Sequence, residues 1–110
     1  MNLIILLQIG IVGLLFIGLG IPLILRKVPP NHWYGFRLSK RVYEPDIWYP
    51  LNEYGGKLMV LIGAAMTGLG VGIYVVPGVQ ESVYIIAGPV ILLLGVVVMT
   101  VLAYRRLRRL

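Results

Sequence analysis

Hydrophobic positions fall into three long uncharged runs, Leu3–Leu25, Leu58–Val76 and Val83–Ala103, of 23, 19 and 21 residues. At about 1.5 Å per helical residue, each run spans or nearly spans a hydrocarbon core roughly 30 Å thick. A single lysine or arginine at mid-span would cost about 2.5–3.5 kcal/mol on insertion, so three uninterrupted runs predict three transmembrane helices. The first run is expected to be a retained span. Met1-Asn2 gives no basic n-region, and the apolar stretch exceeds a secretory h-region. The expected fold class is an all-α integral membrane protein, a single membrane domain over residues 1–110. A polar loop, 26–57, separates the first two spans, and a basic tail, 104–110, follows the third.

Inside the loop, Pro29-Pro30 ends the first helix, and Asn31–Arg41 carries no helical period, so it is extended or turned with Gly35 at a tight point. Glu44-Pro45-Asp46 suits a helix start, with proline in the first turn and acids at the positive helix end. Ile47, Trp48, Leu51, Tyr54, Leu58 and Met59 then recur at intervals of three and four. This predicts a short interfacial helix over Pro45–Tyr54, weakened by Pro50 and joined to the second span at Gly55-Gly56. In that span Ala64, Gly68 and Gly72 form a small-residue stripe, expected to pack within the three-helix unit in preference to forming a homodimer seam. Pro77-Gly78 stops the second span, Ser82 caps the third, and Gly88-Pro89 bends it. Tyr74 and Tyr84 beside the short connection, and Tyr104 at the other end, match interfacial aromatic belts.

Composition agrees with lipid as the solvent: 59% of residues are hydrophobic and the mean hydropathy is +0.92. Charge gives orientation. Six of ten basic residues (Arg26, Lys27, Arg37, Lys40, Arg41 and Lys57) lie in the loop, and Arg105, Arg106, Arg108 and Arg109 form the tail. With three spans, loop and tail share one side, which the positive-inside rule makes cytoplasmic, leaving the N-terminus outside. The net charge of +6 therefore points to anionic lipid headgroups, contacted by the tail arginines, and not to nucleic acid.

Candidate chemistry is concentrated in the loop, which holds seven of eleven aromatic residues and three of four acids. His32 stands without a second histidine or any cysteine, so no metal or cofactor is expected. Glu44, Asp46 and Glu53 read as neutralising partners for Arg37, Lys40, Arg41 and Lys57. The spans hold no ionisable group of the kind a proton-coupled transporter needs. No catalytic constellation stands out, and an enzyme is not expected. The Arg37 guanidinium, following Gly-Phe in a turn, can clamp a carboxylate, a lipid phosphate or a backbone carbonyl. Asn52, one helical turn from Trp48, can tie the helix back to the Asn31–Arg37 turn. A folded lid at the cytoplasmic surface is expected.

The stretch Pro30-Asn31-x-x-Tyr34-Gly35-Phe36-Arg37, followed by Asp46-x-Trp48-Tyr49-x-x-Asn52-x-x-Gly55, resembles the signature of the SdpI immunity-protein family of bacterial membrane proteins. Leu38-Ser39-Lys40-Arg41 departs from the threonine-containing sequence usual there. The resemblance implies a non-enzymatic protein of the bacterial cytoplasmic membrane that gives immunity to a membrane-active peptide, or senses through the loop. Asn31, Tyr34, Gly35, Phe36, Arg37, Trp48, Asn52 and Gly55 would be its recognition positions, with a protein partner in the membrane or at its cytoplasmic face. The alternative is a small accessory subunit of a larger bacterial respiratory or photosynthetic membrane complex, for which small-residue helix faces are suited. A phage-type holin fits the span count but not the elaborate loop.

Overall fold

The computed structural model describes residues 2–76, 78 and 80–110. Three helices carry the chain: α1 (Asn2–Ile24), α2 (Pro45–Val75) and α3 (Glu81–Leu107), with a single 3-10 turn at Lys40–Tyr43 between the first two. All three are long and apolar enough to cross a membrane, and no strand occurs among the described residues. The molecule measures 51 × 22 × 19 Å, longer than a hydrocarbon core of about 30 Å by enough to carry a folded cap at one end.

The exit from α1 is set by backbone chemistry. Arg26 N–H donates to the Leu23 carbonyl at 3.2 Å and Lys27 N–H to the Pro22 carbonyl at 3.0 Å, the paired bonds of a Schellman ending. That ending needs a left-handed residue, and Arg26 supplies it at φ 56°, where glycine would be unstrained. Pro29-Pro30 then prevents the chain from re-entering a helix.

The helix expected over Pro45–Tyr54 is present, starting with Pro45 in its first turn and the Glu44 carbonyl accepting from Ile47 and Trp48 N–H. It is not separate from the second span. One 31-residue helix runs through Pro50 and through Gly55-Gly56, which is no joint. Both glycines are buried because other groups occupy the space a Cβ would fill: the Phe36 ring at Gly55, the α1 backbone at Gly56. At the far end α2 stops at Val75, before Pro77, which lies outside the described residues. The α3 helix begins at Glu81 with Gln80 as its flanking residue, so Ser82 sits inside the first turn and does not cap it. The side chain of Tyr84 also lies outside the described residues.

The antiparallel α1–α2 pair is the main packing unit, and its contact is built on glycines seven residues apart on both helices. Gly13 faces Gly63 and Gly20 faces Gly56. A Cβ on Gly20 or on Gly56 would lie 2.6 Å from the other's carbonyl oxygen, so the backbones touch directly. The stripe expected to pack, Ala64, Gly68 and Gly72, instead faces outward. All three residues are exposed, and nothing lies within 4 Å of a Cβ built on Gly68 or Gly72. The even spacing of that stripe does not distinguish it from the Gly56–Gly63–Gly70 edge, which meets α1 because α1 offers matching gaps there. The α3 helix lies more loosely: only 6% of its most apolar window is buried within the protein, against 22% and 28% for α1 and α2.

Candidate functional site

The polar end of the bundle is a folded cap with its own core. Val42, Ile47, Trp48, Leu51 and Leu107 are buried together, with Val28, Phe36, Leu38, Tyr43 and Tyr49 packed around them. Trp48 is fully buried, and its indole N–H donates to the Val28 carbonyl at 2.8 Å. Burying a tryptophan without a partner for that N–H would cost free energy, so this bond also fixes where the chain leaving α1 must lie.

Asn52 is the central polar group of the cap and 1% exposed. Its Oδ1 accepts from the Phe36 backbone N–H, and its amide donates to the Trp48 carbonyl at 3.0 Å and the Phe36 carbonyl at 3.4 Å. One side chain thus pairs both backbone groups of Phe36, as a neighbouring strand would. Gly35, at φ +121°, lies flat on this platform: a Cβ there would be 2.7 Å from Asn52 Oδ1 and 2.9 Å from the Trp48 ring. Phe36 then folds over Gly55. Trp48, Asn52 and Gly55 follow at intervals of four and three on one helix face, and Gly35-Phe36 is what they receive.

Asn31 closes the preceding turn. Its Oδ1 accepts from Trp33 N–H at 2.8 Å and Tyr34 N–H at 2.7 Å, and its amide donates to the Pro29 carbonyl at 2.7 Å. The Tyr34 hydroxyl donates to the Leu19 carbonyl of α1, and burial pushes its ionisation above the ordinary tyrosine range. Arg37 donates to the His32 carbonyl: of the three kinds of group its guanidinium could clamp, it takes a backbone carbonyl. All eight residues of the sequence motif are therefore in the cap or along its seam with α1, and most of them build it. The outward groups are different: His32, Lys40 and Arg41 are exposed, as is Arg37, and Trp33 is 90% exposed. His32 Nδ1 lies 3.1 Å from the Tyr43 hydroxyl, and Tyr43 stacks on Trp48 at 6.0 Å.

The acids behave differently from expectation. Glu44 and Asp46 are exposed, and the ion pair found among the described residues joins Glu53 to Arg26 at 3.0 Å. Arg26 reaches Glu53 because the left-handed turn after α1 aims it at the first turns of α2. The hydrogen bond from Arg26 holds the Glu53 carboxyl below the ordinary range; desolvation opposes this, and the charges of Arg26 and Lys57 assist.

Sequence reasoning missed the part of α3 in the cap. The helix runs to Leu107, past the expected end of the span at Ala103, and Leu107 is 3% exposed inside the cap core. Arg41 donates to the Leu107 carbonyl at 2.5 Å. Of the tail arginines, Arg106 lies over the Tyr54 ring, 5.6 Å from its centroid, and Arg105 and Arg109 line the same recess. Arg108 is exposed and does not line it. The buried positions Met99, Ala103 and Leu107 recur every four residues, a signal masked because the residues around them are equally apolar. At the opposite end of the bundle, a cavity of about 320 Å³ is lined by Gln8, Ile9, Val12, Met66, Gly88, Pro89 and Leu92.

The SdpI/YfhL protein family matches residues 27–104, from the start of the cap to the last turns of α3. The chain belongs to that family. No curated protein and no solved structure matches it.

Proposed function

Taking membership of the SdpI/YfhL family as the premise, we propose that this multi-pass membrane protein is a non-enzymatic immunity or sensing protein that works through its cap. The observation that carries the reading is the division of labour within the loop. Asn31, Gly35, Phe36, Trp48, Asn52 and Gly55 are spent on rigidity, and this rigid frame leaves His32, Trp33, Arg37 and Lys40 exposed. An exposed tryptophan among cations at the membrane boundary suits an amphipathic peptide or its protein target, with the ring taking apolar surface and the cations taking acids or phosphates. On this reading the cap lies at the cytoplasmic face of a bacterial cell membrane, the side that the positive-inside rule favours for its basic residues.

Survival of cells with and without the gene, challenged with a panel of membrane-active peptides, tests the proposal. Protection against at least one peptide, lost on Trp33→Ala while the protein still inserts and folds, is the expected result. Unchanged survival against every peptide would sink the immunity reading.

The low burial of α3 supports a second reading, an accessory subunit whose third helix packs on a larger complex. Purification in mild detergent separates the two: a stoichiometric partner supports the subunit, and migration alone counts against it.

A further inference from the structure

Where α2 and α3 meet the cap, a recess of about 240 Å³ is lined by Tyr54, Leu102, Arg105, Arg106 and Arg109. Leu102 and Arg105 lie three residues apart on α3, and Arg109 follows in the turn just beyond its end. Among the described residues none of the three arginines has a carboxylate partner; the ion pair found there is Arg26–Glu53, elsewhere in the cap. Nor does capping occupy them. Arg108, Arg109 and Leu110 N–H groups donate to the Tyr104, Arg106 and Leu107 carbonyls, so the helix end is closed by backbone. Arg106 is held over the Tyr54 ring, which fixes its position and leaves its N–H edge available. Three guanidiniums lining one recess, none of them paired with a carboxylate, suit a phosphate group.

One helical turn from Leu102 towards the membrane centre, Val98 opens a second recess between the same two helices. It is about 220 Å³, apolar, and lined by Ile62, Ala65, Leu69, Leu94, Gly95 and Val98 among others. A cationic recess near the membrane boundary, with a separate apolar recess further along the same two helices, matches a molecule with a phosphate head and a hydrocarbon tail. We propose that the α2–α3 cleft is a binding site for one anionic phospholipid, its phosphate held by Arg105, Arg106 and Arg109 and an acyl chain lying against Leu94 and Val98. This goes beyond diffuse attraction of a basic tail, because Arg108 has the same charge and the same neighbours in sequence but no place in the pocket.

Native mass spectrometry of the delipidated full-length protein, titrated with phosphatidylglycerol, phosphatidylcholine or inorganic phosphate, tests the site. Phosphatidylglycerol is expected to bind one-to-one and at least about tenfold more tightly than either of the others. The double variant Arg105→Gln/Arg109→Gln is expected to lose about tenfold or more in that affinity, and Arg108→Gln less than about twofold. Gly95→Leu, which fills the groove against Ile62 and replaces no arginine, is expected to weaken the lipid and leave phosphate unchanged. Unchanged Trp48 fluorescence, read in a Trp33→Phe background, shows that the cap of each variant is intact; where the double variant disturbs it, Gly95→Leu and Arg108→Gln decide. Equal losses in the Arg108 and Arg105/Arg109 variants would overturn the proposal in favour of diffuse charge. Phosphate binding as tight as the lipid would overturn the acyl groove.

Discussion

At the scale of single residues, Asn52 governs the cap because it alone replaces the hydrogen bonds that a strand partner would give Phe36. Asn52→Ala leaves the Phe36 N–H without its acceptor inside a closed core, and the expected cost is about 1–3 kcal/mol. Unfolding in detergent followed by Trp48 fluorescence measures it, with Trp33→Phe as background so that one indole reports. The Ser39 hydroxyl provides the contrast: it is buried without a hydrogen-bond partner, so Ser39→Ala is expected to be neutral or mildly stabilising in the same assay. The Arg26–Glu53 pair carries a pH dependence. The Glu53 pKa is lowered in the fold, so the pair's contribution is complete above the unfolded-state pKa and is lost as pH falls through the folded one. Acid titration of wild type and Glu53→Gln is expected to show a stability difference at neutral pH that closes in acid. A difference that persists in acid would mean Glu53 acts by packing and not by charge.

At the scale of elements, the helices were legible in the sequence and their faces were not. Three uncharged runs suffice to mark spans, because lipid penalises charge wherever it falls along the segment. Which side of a span meets protein is another matter, since lipid and protein interior accept the same apolar side chains. For that reason Ala64, Gly68 and Gly72 looked like a packing seam, and Gly13, Gly20, Gly56 and Gly63 were not read together as the true one, Gly56 being taken for part of a joint. The cap was more readable. The interval between Trp48 and Asn52 pointed Asn52 back at the turn, and it is bonded there. What no local pattern carried was Leu107, whose partners stand more than fifty residues away in sequence. The two seams separate by mutation. Gly56→Ala or Gly63→Ala drives a Cβ into an α1 carbonyl that cannot swing aside, with an expected loss of about 1–3 kcal/mol, as for other overpacked contacts. Gly68→Ala and Gly72→Ala meet open space and are expected to gain a few tenths up to about 1 kcal/mol from helix propensity. Steric trapping or denaturant unfolding in micelles distinguishes them, and a loss at Gly68 would show that the outward stripe meets a second protein.

At the scale of the whole molecule, two independent features put the loop and the tail together at one end of the bundle. One is charge: all ten basic residues lie at the cap end, and the connection between α2 and α3 has none. The other is packing, because Leu107 near the chain end is buried in the same core as Val42 and Trp48 of the loop. Packing requires that the two be together and is silent on which side; the positive-inside rule predicts the cytoplasmic one. The chain contains no cysteine, so single cysteines report position without background. Trp33→Cys in the cap, Leu110→Cys at the tail and Ser82→Cys at the opposite end are all exposed sites. In intact cells a membrane-impermeant maleimide is expected to label Ser82→Cys alone, and to label Trp33→Cys and Leu110→Cys only after the membrane is opened. Labelling of Trp33→Cys and Leu110→Cys from outside would invert the protein and turn the exposed aromatic face towards extracellular peptides. Labelling of one without the other would contradict the shared core itself, since Leu107 and Trp48 cannot touch across a bilayer.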